Sequence, residues 1–249
     1  MVTSALSSMC GEVRWRRPGR ALRPYQGPWS DRIVGGVGDL PRMAPEPSPR
    51  LDLYWIPLGA GARVVRTCGK GYEALVARLQ HRPPCDLYHA ALVAHTAVGR
   101  YSIEITPVPD DVGREQRGVV GDGPVGSRVL GRFRLFRYEL RRWRDGVIPD
   151  LDFAVASPVL ISEDAETVGH ALELVALVPT PVWGRDELRA GEMWNSNSVI
   201  SWVLDRAGVI ERAGFPPGGG RAPGWDAGIV VARRPAGSAS GERERVLST

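Results

Sequence analysis

The sequence predicts an α+β protein in which an antiparallel sheet packs against helices, with the folded part running from residue 51 to residue 234. Three observations predict it. Short runs of apolar and branched residues, bounded by glycine and proline, recur through the first half of that span. Two later segments carry a helical period with recognisable caps. The chain of 249 residues is 43% apolar, enough to build an ordinary core.

The elements follow in order. Leu51–Gly59 (LDLYWIPLG) and Ala62–Thr67 (ARVVRT) read as two short strands divided by Gly59-Ala60-Gly61. A helix is expected over Tyr72–Gln80 and must stop by Pro83. Asp86–Thr96 reads as a strand, and Gly99 separates it from Arg100–Val108, where Tyr101, Ile103 and Ile105 alternate with Ser102, Glu104 and Thr106. These two are expected to pair antiparallel. Arg114–Gly131 is glycine-rich and expected to be a loop, and the alternation in Arg132–Trp143 predicts a further strand. Ser162–Val178 is expected to be helical, with Ser162 as the N-cap and Glu163 and Asp164 placed where the helix dipole favours negative charge. The last helix is capped by Asn195, carries Ile200, Val203, Leu204 and Ala207 on one stripe, and stops at Gly208. The apolar run Ala227–Ala232 is expected to be a final buried strand.

Residues 1–50 hold 7 Pro, 6 Gly and 8 Arg with no sustained period, and this segment is expected to be a disordered basic arm; 235–249 reads as a disordered tail. The arm's 8 Arg against 4 acids account for the whole formal charge of +4, so the remaining residues balance. No nucleic-acid groove is therefore expected on the folded domain. No run reaches the roughly 18–20 apolar residues of a membrane span, and no secretory signal is visible at the start, so the expected location is the cytoplasm.

Familiar chemical signatures are missing. Gly59-x-Gly61 lacks the third glycine of a dinucleotide fold, Gly69-Lys70-Gly71 lacks the Ser/Thr of a P-loop, and neither HExxH nor GxSxG occurs. Three cysteines (Cys10, Cys68, Cys85) form no disulfide framework. His81-x3-Cys85-x3-His89 has regular spacing, but Pro83 and Pro84 forbid the helix that would align these residues, so no metal and no cofactor is expected.

What remains is a histidine on an early strand, His89, and the polar cluster Trp194-Asn195-Ser196-Asn197-Ser198 ahead of a helix. A nucleophile in a first helical turn sits among unpaired backbone N–H groups, and an imidazole from a neighbouring strand would complete an activated hydroxyl. Leu87–Val93 (LYHAALV), the following Arg100–Glu104 and Asn195–Ser198 (NSNS) resemble the circularly permuted papain-like superfamily, which includes lecithin:retinol acyltransferase-like proteins, PPPDE-type isopeptidases and permuted NlpC-type amidases. The resemblance covers roughly residues 87–208 and implies a permuted papain-like fold with a late nucleophile-bearing helix. Ser196 stands where that family has cysteine. A thiol is made a thiolate by His⁺ and a helix end, whereas an alcohol needs concerted base help and a built oxyanion hole.

The resemblance implies a hydrolase or acyltransferase acting on an amide, thioester or ester of a small-molecule, peptide or acyl substrate. In it Ser196 would be the nucleophile, His89 the base and Glu104 its orienter, with Asn195, Asn197 and Trp194 toward substrate or oxyanion. Each residue has a plainer reading. His89 fits a hydrogen-bonded core histidine, Ser196 and Ser198 fit helix-cap residues, Glu104 fits a solvated strand face, and Trp194, Trp202 and Trp225 fit packing positions. The alternative function is a non-catalytic binding module of the same fold. The sequence carries no signal for oligomeric state.

Overall fold

The computed structural model of the protein describes residues 48–59, 71, 73–108 and 113–235. The expected strand Ala62–Thr67, Cys10, Cys68 and nearly all of both terminal segments lie outside the described residues. Within them the strands are β1 (Arg50–Pro57), β2 (Tyr88–Thr96), β3 (Gly99–Pro107), β4 (Val119–Pro124), β5 (Arg137–Arg144) and β6 (Val159–Ser162). The helices are α1 (73–79), α2 (Ala165–Leu174), α3 (Ser196–Arg206) and α4 (Trp225–Ala232). The strands form one antiparallel sheet in the order β4-β5-β3-β2-β1-β6.

The two faces of this sheet differ in chemistry because successive side chains alternate. Leu51, Leu53, Trp55, Ala90, Leu92, Ile103, Tyr138 and Leu140 share one face and form the main core with Val168 of α2 and Val199, Ile200 and Val203 of α3. The register pairs Ile56 with His89 and Val93 with Ser102, which puts His89, Ala91, Val93, Ser102 and Glu104 on the second face. There Ile56, Ala91 and Val93 pack on Ile148, Leu151 and Ala154 from a strap that follows β5.

Four expectations are corrected. Ala227–Ala232 belongs to helix α4, not to a strand; a six-residue apolar run carries no period that separates the two, and Gly224 at φ 86° redirects the chain into a helix. The expected strand Arg132–Trp143 starts at Arg137, after two short 3₁₀ turns, Leu130–Arg132 and Arg134–Phe136. The glycine-rich stretch Arg114–Gly131 contains β4, where Gly123 lets the backbone lie against the Tyr138 ring, a Cβ there coming within 2.5 Å of its hydroxyl. Ser162 ends β6 instead of capping the next helix. The cap is Asp164, which accepts from Thr167 N at 2.8 Å, while Ser162 Oγ accepts from Asp164 N at 3.1 Å.

The helical layer is held by an unusually close pair. Gly228 of α4 lies against α3, and a Cβ there would fall well inside van der Waals distance of Ser198 O and Ser201 Oγ. The two serines fasten the same crossing, Ser198 Oγ donating to Gly224 O and Ser201 Oγ to Trp225 O, each at 2.7 Å. Gly228→Ala is therefore expected to push the helices apart and lower stability by about 1–3 kcal/mol, the usual cost of overpacking, measured as a lower urea midpoint.

Candidate functional site

The start of α3 is built by reciprocal capping. Asn195 Oδ1 accepts from Asn197 N at 2.9 Å and Ser198 N at 3.3 Å, and Ser198 Oγ accepts from Asn195 N at 3.1 Å. Val199 N bonds to Asn195 O. The backbone N–H groups of 197, 198 and 199, which would otherwise face an incoming anion, are engaged by Asn195 itself. Ser196 occupies the first helical position and is half-buried.

Asn197 is 2% exposed and saturated. Its Oδ1 accepts from Ala90 N at 2.7 Å, and its Nδ2 donates to Tyr88 O at 3.0 Å and to Pro223 O at 2.9 Å. Asn195 Nδ2 also donates to Pro223 O, at 2.8 Å. Asn197 therefore keeps no amide donor for an oxyanion, while Asn195 Nδ2 spends one of its two N–H groups on Pro223 O. Trp194 is 1% exposed with an unpartnered ring nitrogen, so it packs in the core and lines no groove.

His89 leaves β2 on the face opposite α3. Its Nε2 lies 2.9 Å from Asp150 Oδ2 in the strap. The strap is tied down again at Gly146, whose carbonyl accepts from Ser102 Oγ and Arg100 Nη1, both at 2.7 Å. Glu104 shares the His89 face, 3.7 Å from Arg141. Burial raises its carboxyl pKa, the Arg141 guanidinium opposing. The hydrogen-bonded partner of His89 is Asp150 and not Glu104. Ser196 and His89 are thus placed on opposite sides of the sheet, and it is Tyr88, the neighbour of His89, that joins Ala90 and Leu92 in the main core with α3.

No family model, curated protein or solved structure matches the chain. Its function has to be read from its own residues.

Beside the start of α3 lies a cavity of about 370 Å³, a size that admits a small ligand. Val76, Leu79 and Met193 supply its apolar wall, and Asp186, Glu192 and Arg221 its polar side. Arg221 bonds Gln80 Oε1 at 3.0 Å and lies 3.7 Å from Glu192, whose other oxygen accepts from Gly224 N at 2.7 Å. Asp186 accepts from Ala190 N and Gly191 N at 2.6 and 2.9 Å. One wall, α1, is anchored by Glu73, which is 3% exposed and accepts from Arg82 at 2.5 Å, Cys85 N at 3.0 Å and Cys85 Sγ at 3.3 Å. Burial and the Glu73 carboxylate push the Cys85 thiol pKa up, which makes it a poor nucleophile at neutral pH. His81 is exposed and His89 is held by Asp150, so the three regularly spaced residues of the metal motif do not converge on one point.

Sequence reasoning missed Tyr88, Asp150, Glu192 and Arg221. Asp150 is 61 residues from its histidine in a connection with no period, and no spacing rule reaches it. The sheet register alone separates Tyr88 from His89.

Two consequences are measurable. Asn197→Ala leaves Ala90 N–H and Tyr88 C=O buried without their side-chain partner and is expected to cost about 2–4 kcal/mol, read by chemical denaturation. The Arg82 bond, with the two Cys85 contacts, holds Glu73 well below its ordinary 4.5, at about 2. A depressed carboxyl pKa stabilises the fold fully above 4.5 and progressively less as pH falls towards about 2. Glu73→Gln is accordingly expected to lower the thermal midpoint at neutral pH, with the gap to wild type closing across that acid window.

Proposed function

We propose that the chain is a non-catalytic binding module on the permuted papain-like frame that its motifs resemble, holding a small-molecule or peptide partner in the cavity beside α3. The observation that carries this reading is the engagement of the N–H groups of 197, 198 and 199 and of the Asn197 carboxamide at the α3 entrance. Asn195 takes the N–H groups of 197 and 198 on its side chain and that of 199 on its carbonyl, and Asn197 spends both amide ends on β2 and Pro223. Catalysis by Ser196 would require a general base on its own side of the sheet, and His89 is committed to Asp150 on the other. The frame is supported by the seating of an Asn-Ser-Asn helix start against the beginning of the histidine-bearing strand. The cavity favours a partner with an apolar portion for Val76, Leu79 and Met193 and with hydrogen-bond donors for Asp186 and Glu192.

A cysteine at position 196 separates this reading from a Ser-His hydrolase or acyltransferase. In Ser196→Cys, alkylation by iodoacetamide is expected to proceed at a rate that adding His89→Ala leaves unchanged. The histidine comparison is the decisive one, because a helix N-terminus by itself lowers a thiol pKa. Fast alkylation at mildly acidic pH that His89→Ala slows would replace the binding reading with the enzyme reading.

A further inference from the structure

The connection between β4 and β5 turns three of its apolar side chains outward. Val129 is 67% exposed, Phe133 63% and Leu135 78%, and Arg128, Arg132 and Arg134 stand between and beside them with no acid anywhere in 125–136. Its base is firmly held. Val125 N bonds to Phe136 O at 2.7 Å, Gly126 N to Trp183 O at 2.9 Å, and Arg137 Nη1 to Gly131 O at 3.0 Å. Gly131 sits against Pro124, where a Cβ would come within 2.5 Å of the ring, so the two 3₁₀ turns pack tightly at their foot while their tips face solvent. Exposed apolar residues gathered in this way mark an interaction surface.

We propose that the 128–135 protrusion docks the protein onto an anionic membrane surface. Phe133, Leu135 and Val129 would enter the boundary between headgroups and acyl chains, and the intervening arginines would engage lipid phosphates. The aliphatic members favour lipid over nucleic acid, which rewards stacking and charge but offers little hydrocarbon to Val129 and Leu135. The position fits the cavity as well. Arg128 pairs with Glu187, and Arg185 donates to Gly126 O, on either side of the cavity residue Asp186. This inference does not depend on whether the cavity only binds its ligand or also transforms it.

Co-sedimentation of the full chain with vesicles tests it, using phosphatidylcholine alone and phosphatidylcholine mixed with phosphatidylserine. Wild type is expected to sediment with the mixed vesicles, less so as salt rises. Phe133→Ser combined with Leu135→Ser is expected to weaken partition by about tenfold or more, and Arg132→Gln with Arg134→Gln by about fivefold per arginine. All four positions are exposed, and thermal midpoints recorded alongside separate a loss of docking from a loss of fold. The basic residues 1–50 are present in every variant, and their own attraction to anionic lipid cancels in the comparison. Wild type remaining in the supernatant, variants sedimenting like wild type, or a loss confined to binding of a single-stranded oligonucleotide would overturn the proposal.

Discussion

Pairing between β2 and β3 ends at Leu92 and Ile103, while β3 continues alongside β5 as far as Pro107. Where the two strands part, Ala90 N–H and Tyr88 C=O lose the neighbour that a ladder would supply, and buried backbone groups in that position need another partner. The Asn197 carboxamide is that partner, presenting an acceptor and a donor as a strand would. Most of the helical layer follows from this docking. It fixes where α3 begins and therefore which of its residues meet Ala90, Leu92 and Ile103, and it places Ser198 and Ser201 where α4 can pack against them through Gly228.

The same docking decides what the helix start can do. A polar side chain that supports a strand is not free to support a transition state, and the N–H groups of 197–199 already have acceptors. Ser196 is half-buried and is not part of the cavity lining, and the cavity's carboxylates Asp186 and Glu192 are themselves tied to backbone N–H groups. On the proposed reading, such a site holds a shape, which is what a binding module requires.

The second face of the sheet shows how buried charge is kept paired. Glu139 is fully buried. Burial would raise its pKa, but bonds from Arg117 and Arg141 outweigh it and keep the carboxyl below its ordinary value. Arg141 then reaches Glu104, and His89 and Asp150 close the strap over the neighbouring apolar patch. Buried charge of this kind is tolerated when every member has a partner, and removing one strands the others. The arginine-rich run Arg141, Arg142 and Arg144 is correspondingly not a free basic patch. Arg141 is in the ion network, Arg142 donates to Leu172 O, and Arg144 donates to Val98 O.

The sequence by itself determined the local elements whose signals are short-range. The alternation of Tyr101, Ile103 and Ile105 specified β3, and Asn195, the Ile200–Ala207 stripe and Gly208 specified α3 with both its ends. It determined less where the signal is shared between structures. Ala227–Ala232 has the composition of a strand, and only packing against α3 makes it a helix; Phe133 and Leu135 alternate like core residues yet face solvent. The site was legible as a list of residues and not as an arrangement. His89 and Tyr88 are adjacent in the chain, and which of them faces α3 depends on the register of β2 against β1 and β3, because a shift of one residue exchanges the two faces of a strand. That register, and with it the pairing of His89 with Asp150 in place of Ser196, is decided by long-range contacts that no local spacing encodes.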